Sequence, residues 1–252
     1  MSLRLLLPAL TAVALAAAAP AQAIAGSFQP NPAPPGVPIT LTCTDTTGLG
    51  AVLPSPCTWF TIHRGGQTGP IVPLGLFCPA VLVPVAPNGT FSFTWNQRDD
   101  LGALVPPDSY WFEVRTFDTG FTGVRTDWFC ISIQPANAPA LTAAGPARIG
   151  QVTPLQLSAP LEPGAPFIAA LAFSSNVPLV VFGLQSCLDA SLSLDFLIAP
   201  IGALDALGQS AGLALSVPNT PFALWQGAHV QALLAGTAGL QLTNSVAFTV
   251  QP

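Results

Sequence analysis

The segment FSFTWNQRDDLGALVPPDSYWFEV, residues 91–114, constrains the fold more than any other part of the chain. Phe91, Phe93 and Trp95 fall on one face at period two, and Tyr110, Phe112 and Val114 repeat the pattern after a polar Gly/Pro turn. Apolar residues at period two in runs this short mark half-buried strands. The segment predicts two aromatic-lined strands joined by that turn, within an all-β fold. It carries no signature of a reaction or a ligand.

Trp95, Asn96, Asp100, Gly102, Val105, Pro106, Pro107 and Tyr110 form a Trp-Asn strand end followed by a D-x-G turn and a V-P-x-x-x-Y lead into the next strand. This arrangement resembles the bacterial immunoglobulin-like modules of the flagellar hook-assembly protein and of the intracellular proteinase-inhibitor family. The resemblance implies a β-sandwich without a catalytic centre and spans about two dozen residues. The usual Gly two residues before the Tyr is Asp108, which adopts a positive φ less readily than Gly. The antibody type does not fit, because Phe112 stands where such domains place their second core cysteine.

Residues 1–23 read as a leader: a short basic start with Arg4, an apolar run over 5–19, and the small residues Ala21-Gln22-Ala23 before a cut after Ala23. That run is shorter than the roughly 18–20 apolar residues a membrane span needs. Mean hydropathy is high at +0.58, yet Pro, Gly and polar residues break every later apolar stretch. The expectation is a chain without a transmembrane segment once the leader is removed, either secreted, periplasmic or on the cell surface.

The chain holds no lysine, six arginines and a formal net charge of −5. Scattered arginines in an acidic chain exclude a nucleic-acid partner, since phosphate binding needs clustered cations. Only 7% of residues are charged, against about 25% in ordinary soluble domains, so much of the surface is Ala, Leu, Thr, Ser, Gln and Gly.

Strand-length apolar runs separated by turns suggest two sandwiches in tandem. The first covers 26–134, with strands near 39–43, 58–63, 81–85, 90–95, 110–117 and 128–133. Pro87-Asn88-Gly89 reads as a hairpin turn, and also as part of a glycosylation sequon with Thr90. The Pro-rich stretch 135–146 reads as an exposed linker. The second sandwich covers 147–252, with strands near 155–157, 167–173, 179–183, 192–198, 213–217, 229–234 and 246–250. From Ser175-Asn176-Val177-Pro178 onward it loosely resembles a module of exported bacterial proteins with no assigned activity.

In an exported chain, Cys43, Cys57, Cys78 and Cys130 allow two bridges in three connectivities. Proximity favours Cys43 with Cys57 and Cys78 with Cys130, leaving Cys187 reduced as a small buried hydrophobe. No metal or cofactor motif is present: no C-x-x-C occurs, and His63 and His229 stand apart from other ligands. Both histidines read as exposed strand residues. Asp118, Asp127, Asp189, Asp195 and Asp205 are too dispersed for a calcium loop. No G-x-S-x-G elbow accompanies the serines. The Asp99-Asp100 pair reads as a solvated turn rather than an acid–base pair.

The functional expectation is a non-enzymatic, secreted binding or structural envelope protein, its partner an unidentified protein or glycan. Its contacts are expected from Asp99, Asp100 and Trp111, because Trp111 points away from the face of Tyr110 and Phe112. The alternatives are an extracellular proteinase inhibitor, acting through a Cys43–Cys57-closed loop over 44–56, and a hydrolase with a dispersed site.

Overall fold

The computed structural model describes residues 23–173, 179–182, 184–188, 192–220 and 227–252. The leader ahead of Ala23, the 175–178 segment, Gly183, Asp189 and Trp225 lie outside the described residues. Every regular element among those residues is a strand.

The first half contains β1 (Ile24–Gln29), β2 (Ile39–Asp45), β3 (Ala51–Leu53), β4 (Phe60–Arg64), β5 (Val83–Val85), β6 (Thr90–Trp95), β7 (Asp108–Phe117) and β8 (Val124–Ile133). A three-stranded sheet β1-β2-β6 faces a five-stranded sheet in which β7 pairs with β4, β3 and β8, and β5 pairs with β3. Alternation assigns the faces. In β2, Ile39, Leu41, Cys43 and Asp45 are buried while the threonines between them are half-exposed. Phe112 meets Phe28 at 5.1 Å and Trp95 at 5.9 Å, both edge-on, so aromatic rings from both sheets fill the space between them.

The Tyr110 hydroxyl donates to the Pro106 carbonyl at 2.6 Å, which ties the start of β7 to the turn before it, a tyrosine corner of the kind found in β-sandwiches. Asp108 has no positive φ and instead joins β7, where its carboxylate accepts from Arg64 Nε at 2.8 Å. Pro87-Asn88-Gly89 does turn the chain, with Asn88 at φ 56° and the Gly89 amide donating to Ala86 O. It is not a hairpin, however: β5 and β6 belong to different sheets, so the turn passes the chain from one sheet to the other.

The second half contains β9 (Ala140–Ala143), β10 (Val152–Ser158), β11 (Pro166–Ala172), β12 (Val180–Val181), β13 (Leu184–Gln185), β14 (Leu197–Ile198), β15 (Ile201–Ala203), β16 (Ala214–Ser216), β17 (Gly227–Gly236), β18 (Gly239–Leu242) and β19 (Val246–Thr249). A sheet β14-β16-β10-β9 lies against a sheet β15-β11-β17-β18 that also pairs β19 with β17, and β12 and β13 form a separate pair. The core has its own set of residues, among them Leu141, Leu157, Leu171, Leu215, Val230 and Leu234. The strand expected over 192–198 shrinks to β14, because Leu192 and Leu194 are exposed and the Leu197 amide turns back onto Leu194 O.

The middle of the stretch expected as an exposed linker belongs to the second sandwich. Within 135–146, Ala140–Ala143 pairs with β10, and Leu141 is fully buried. The Asn244 side chain accepts from the Leu141 amide at 2.8 Å and donates to its carbonyl at 2.9 Å. Prolines at strand ends give the same composition as a linker, and Asn244, a hundred residues away, makes the difference.

Candidate functional site

Period-two parity places the outer face of the first sandwich. In β8, Asp127, Phe129, Ile131 and Ile133 face the core, so Trp128, Cys130 and Ser132 face outward. Trp111 of β7 is the register partner of Cys130 and shares that outward face. The second half covers it. Cys187 bridges to Cys130, and Trp111, Cys130 and Cys187 are buried together with Trp128 packed against them.

This seam corrects three expectations. Cys187 is not reduced: it forms the disulfide with Cys130 that links the two halves. The other bridge is Cys57–Cys78, and Cys43 is free. Cys43 projects from β2 into the core, and burial pushes its thiol well above the usual range, with Asp127 adding to the effect. Trp111 is not an exposed contact residue but is fully buried; its outward direction was legible, and the layer that covers it was not.

Polar groups hold the seam. Buried Gln231 accepts from Ser186 Oγ at 2.8 Å and from the Cys187 amide at 2.9 Å, and donates to Thr243 O at 2.7 Å. Asn31 donates to Ser245 O at 2.7 Å and accepts from Asn244 Nδ2 at 3.2 Å. A cleft of about 390 Å³ lies alongside, lined in part by Gln29, Asn31, Phe129, His229 and Ser245. His229 is buried there instead of exposed on its strand. His63 is buried as well: its Nδ1 meets Gly69 O at 3.2 Å, and its Nε2 stands 3.5 Å from Glu113 Oε2. Glu113 is also clamped by Arg115, through two hydrogen bonds of 2.9 Å. Both histidines are integrated into packing between strands, which alternation within one strand does not reveal.

Asp99 and Asp100 sit where expected, in a turn after β6. Asp99 Oδ1 accepts from the amides of Leu101 and Ala103 at 3.0 and 2.8 Å, which makes Asp99 the organiser of its own loop. The side chain of Asp100 is exposed. This turn lies against a second loop: a Cβ added at Gly75 would stand 3.1 Å from Asp100 Cβ. Residues 72–82 have no regular structure, and Cys78 ties them to Cys57. The two loops expose Leu76, Phe77, Leu101 and Leu104, with Phe77 at 102% and Leu101 at 88% relative exposure. Sequence reasoning passed over Phe77, although its place one residue before a bridged cysteine in an apolar, Pro-punctuated stretch was a usable signal.

Among the described residues, no group of three or more His, Cys, Asp or Glu side chains gathers to hold a metal ion. Nor is any helix among them long and apolar enough to cross a membrane. Two disulfides fit maturation in an oxidising extracellular or periplasmic compartment.

No family model matches the chain, and no curated protein does. Among solved structures, a red sea bream transglutaminase is 10% identical with a TM-score of 0.32, over 91% of this chain and 31% of that one. The Pseudomonas aeruginosa CupB2 chaperone is 13% identical with a TM-score of 0.32, over 89% of this chain and 100% of that one. Escherichia coli alpha-2-macroglobulin activated by porcine elastase is 12% identical with a TM-score of 0.30, over 91% and 22% respectively. The chain thus spans under a third of the transglutaminase and of the macroglobulin, and similarity this low carries nothing from those proteins to this one.

Proposed function

We propose that this is an exported, non-catalytic binding or structural protein of the cell envelope, and that it makes contact through the rim formed by the 72–82 loop and the Asp99–Leu104 turn. The supporting observation is Phe77 and Leu101 held fully outward on adjoining loops, one of them tethered by Cys57–Cys78. Clustered apolar side chains on anchored loops lose free energy to water unless a partner covers them, and a tether reduces the ordering cost of binding. Leucines beside a lone phenylalanine suit an apolar protein surface better than a glycan, whose hydroxyls would face aliphatic carbon without hydrogen-bond partners.

The test is capture from envelope extract by the oxidised protein, run beside the Phe77→Ser/Leu101→Ser variant. Loss of the captured partner at unchanged thermal stability is the expected result. Equal capture by both forms, or robust turnover of a peptide, ester or glycoside by the pure protein, would overturn the proposal.

One observation favours a second reading, proteinase inhibition. The disulfide-tethered segment is not the expected 44–56, which contains β3, but 72–82, a stretch without regular structure in which Phe77 is fully exposed. An inhibitor of this kind would block a Phe-preferring proteinase and stay intact. Rapid cleavage after Phe77 without inhibition would discard that reading.

A further inference from the structure

We propose that the Ala23–Ile24 peptide bond is where the leader is removed, and that the α-ammonium released at Ile24 locks into the first sandwich as a buried ion pair with Asp127. The proposal rests on reading 1–23 as a leader and is independent of the binding surface proposed above.

Asp127 lies on the core face of β8 and is only 5% exposed. Its carboxylate accepts from the backbone amides of Ala23 and Ile24, while its Oδ2 is buried without any partner. A carboxylate inside an apolar core is costly unless a counter-charge meets it, and two neutral amides on one side answer only part of its demand. The other groups around it do not complete the pairing. Cys43 of β2 presents a thiol, Arg125, two residues back on the same strand, favours the charged carboxylate from a distance but makes no ion pair with it, and the carboxylate of Asp45, the register partner of Ile24, is occupied by the amides of Thr47, Gly50 and Asn88.

The nitrogen of Ile24 is the atom that processing would change. Hydrolysis adds one water across the Ala23–Ile24 bond, leaving a carboxylate on Ala23 and an amine on Ile24 that takes up a proton at neutral pH. Ala21 and Ala23 are the small residues that a leader-removing peptidase accepts. The new group carries a full charge and three N–H donors, enough to engage both carboxylate oxygens. Burial of the Ile24 side chain, 1% exposed, fixes its position. Two hydrogen bonds disappear with Ala23, the one from the Thr46 amide to Ala23 O, 3.0 Å in length, and the one its own amide donates to Asp127, which the charged Ile24 nitrogen has to replace. A start at Ala25 would remove the nitrogen, and a start at Ala23 would leave it a neutral amide.

The absence of lysine makes the test clean, because the α-amine is then the sole primary amine of the processed chain. The full chain is expressed in an exporting bacterial host and the secreted product weighed intact. A product beginning at Ile24 is expected; one beginning elsewhere overturns the proposal. The product is then labelled with an acetylating ester, folded and in denaturant. Pairing with Asp127 should slow labelling of the folded form at least tenfold and move its pH midpoint above the ordinary α-amino value of about 8. Asp127→Asn should return that midpoint toward 8. Equal rates for folded and unfolded wild type would refute the ion pair, whether or not the variant folds.

Discussion

Replacing Trp111 with Ala tests whether the outer face of β7 is a packed seam or a free surface. The ring is fully buried beside Cys130 and Cys187, with Trp128 against it. Truncating a buried Trp to Ala typically costs about 3–5 kcal/mol through lost burial and the cavity left behind. Trp111 Nε1 is buried without a hydrogen-bond partner, so no hydrogen-bond loss adds to that figure. For a chain of this length each kcal/mol lowers the melting temperature by roughly 2–4 °C, so the variant should melt about 10 °C lower. Urea unfolding under oxidising conditions should show a lower midpoint at an unchanged slope. Phe77→Ala is the control. It removes a larger exposed area yet should stay within about 0.5 kcal/mol of wild type, since no packing is lost. A Trp111→Ala cost below about 1 kcal/mol, or a Phe77→Ala cost above it, would refute the assignment of buried seam and exposed rim.

Two further perturbations read individual contacts. Tyr110→Phe removes the 2.6 Å hydrogen bond to Pro106 O and should cost about 1 kcal/mol while keeping the ring packing; no change would mean that the corner does not hold β7. In a chain that retains Ala23, burial pushes the Asp127 carboxyl up to about 7, so the native state holds a proton that the unfolded state releases near 4. Stability from this group is therefore fully present below about pH 4 and is lost as pH rises to about 7, by roughly 4 kcal/mol in order of magnitude. Asp127→Asn in that chain should flatten the profile across this window, and an unaltered slope would contradict the burial argument.

The parts of this fold that were legible in sequence are those decided within one strand. Alternation in 91–95 and 110–114 gives faces that the structure reproduces, because the period of a strand belongs to its backbone. What was not legible is what lies over each face. Trp111 and Cys130 share an outward face by parity alone, but only the arrival of Cys187 decides between solvent and a second layer. The same holds for His63, His229 and the cysteine pairing, where nearness in sequence was an unsafe guide to nearness in space. At the candidate site, the Asp99-Asp100 turn could be read from its residue types, whereas its contact with Gly75, and so the continuity of the apolar rim, depends on how two distant loops meet.

Two sandwiches with separate cores are joined by a covalent seam, and peptide mapping of the oxidised protein under non-reducing conditions reads that seam out. The expected peptides link Cys57 to Cys78 and Cys130 to Cys187, with Cys43 as a thiol that alkylates only after unfolding. A Cys43–Cys57 or Cys78–Cys130 peptide, or a Cys187 alkylated in the native protein, would contradict this pairing.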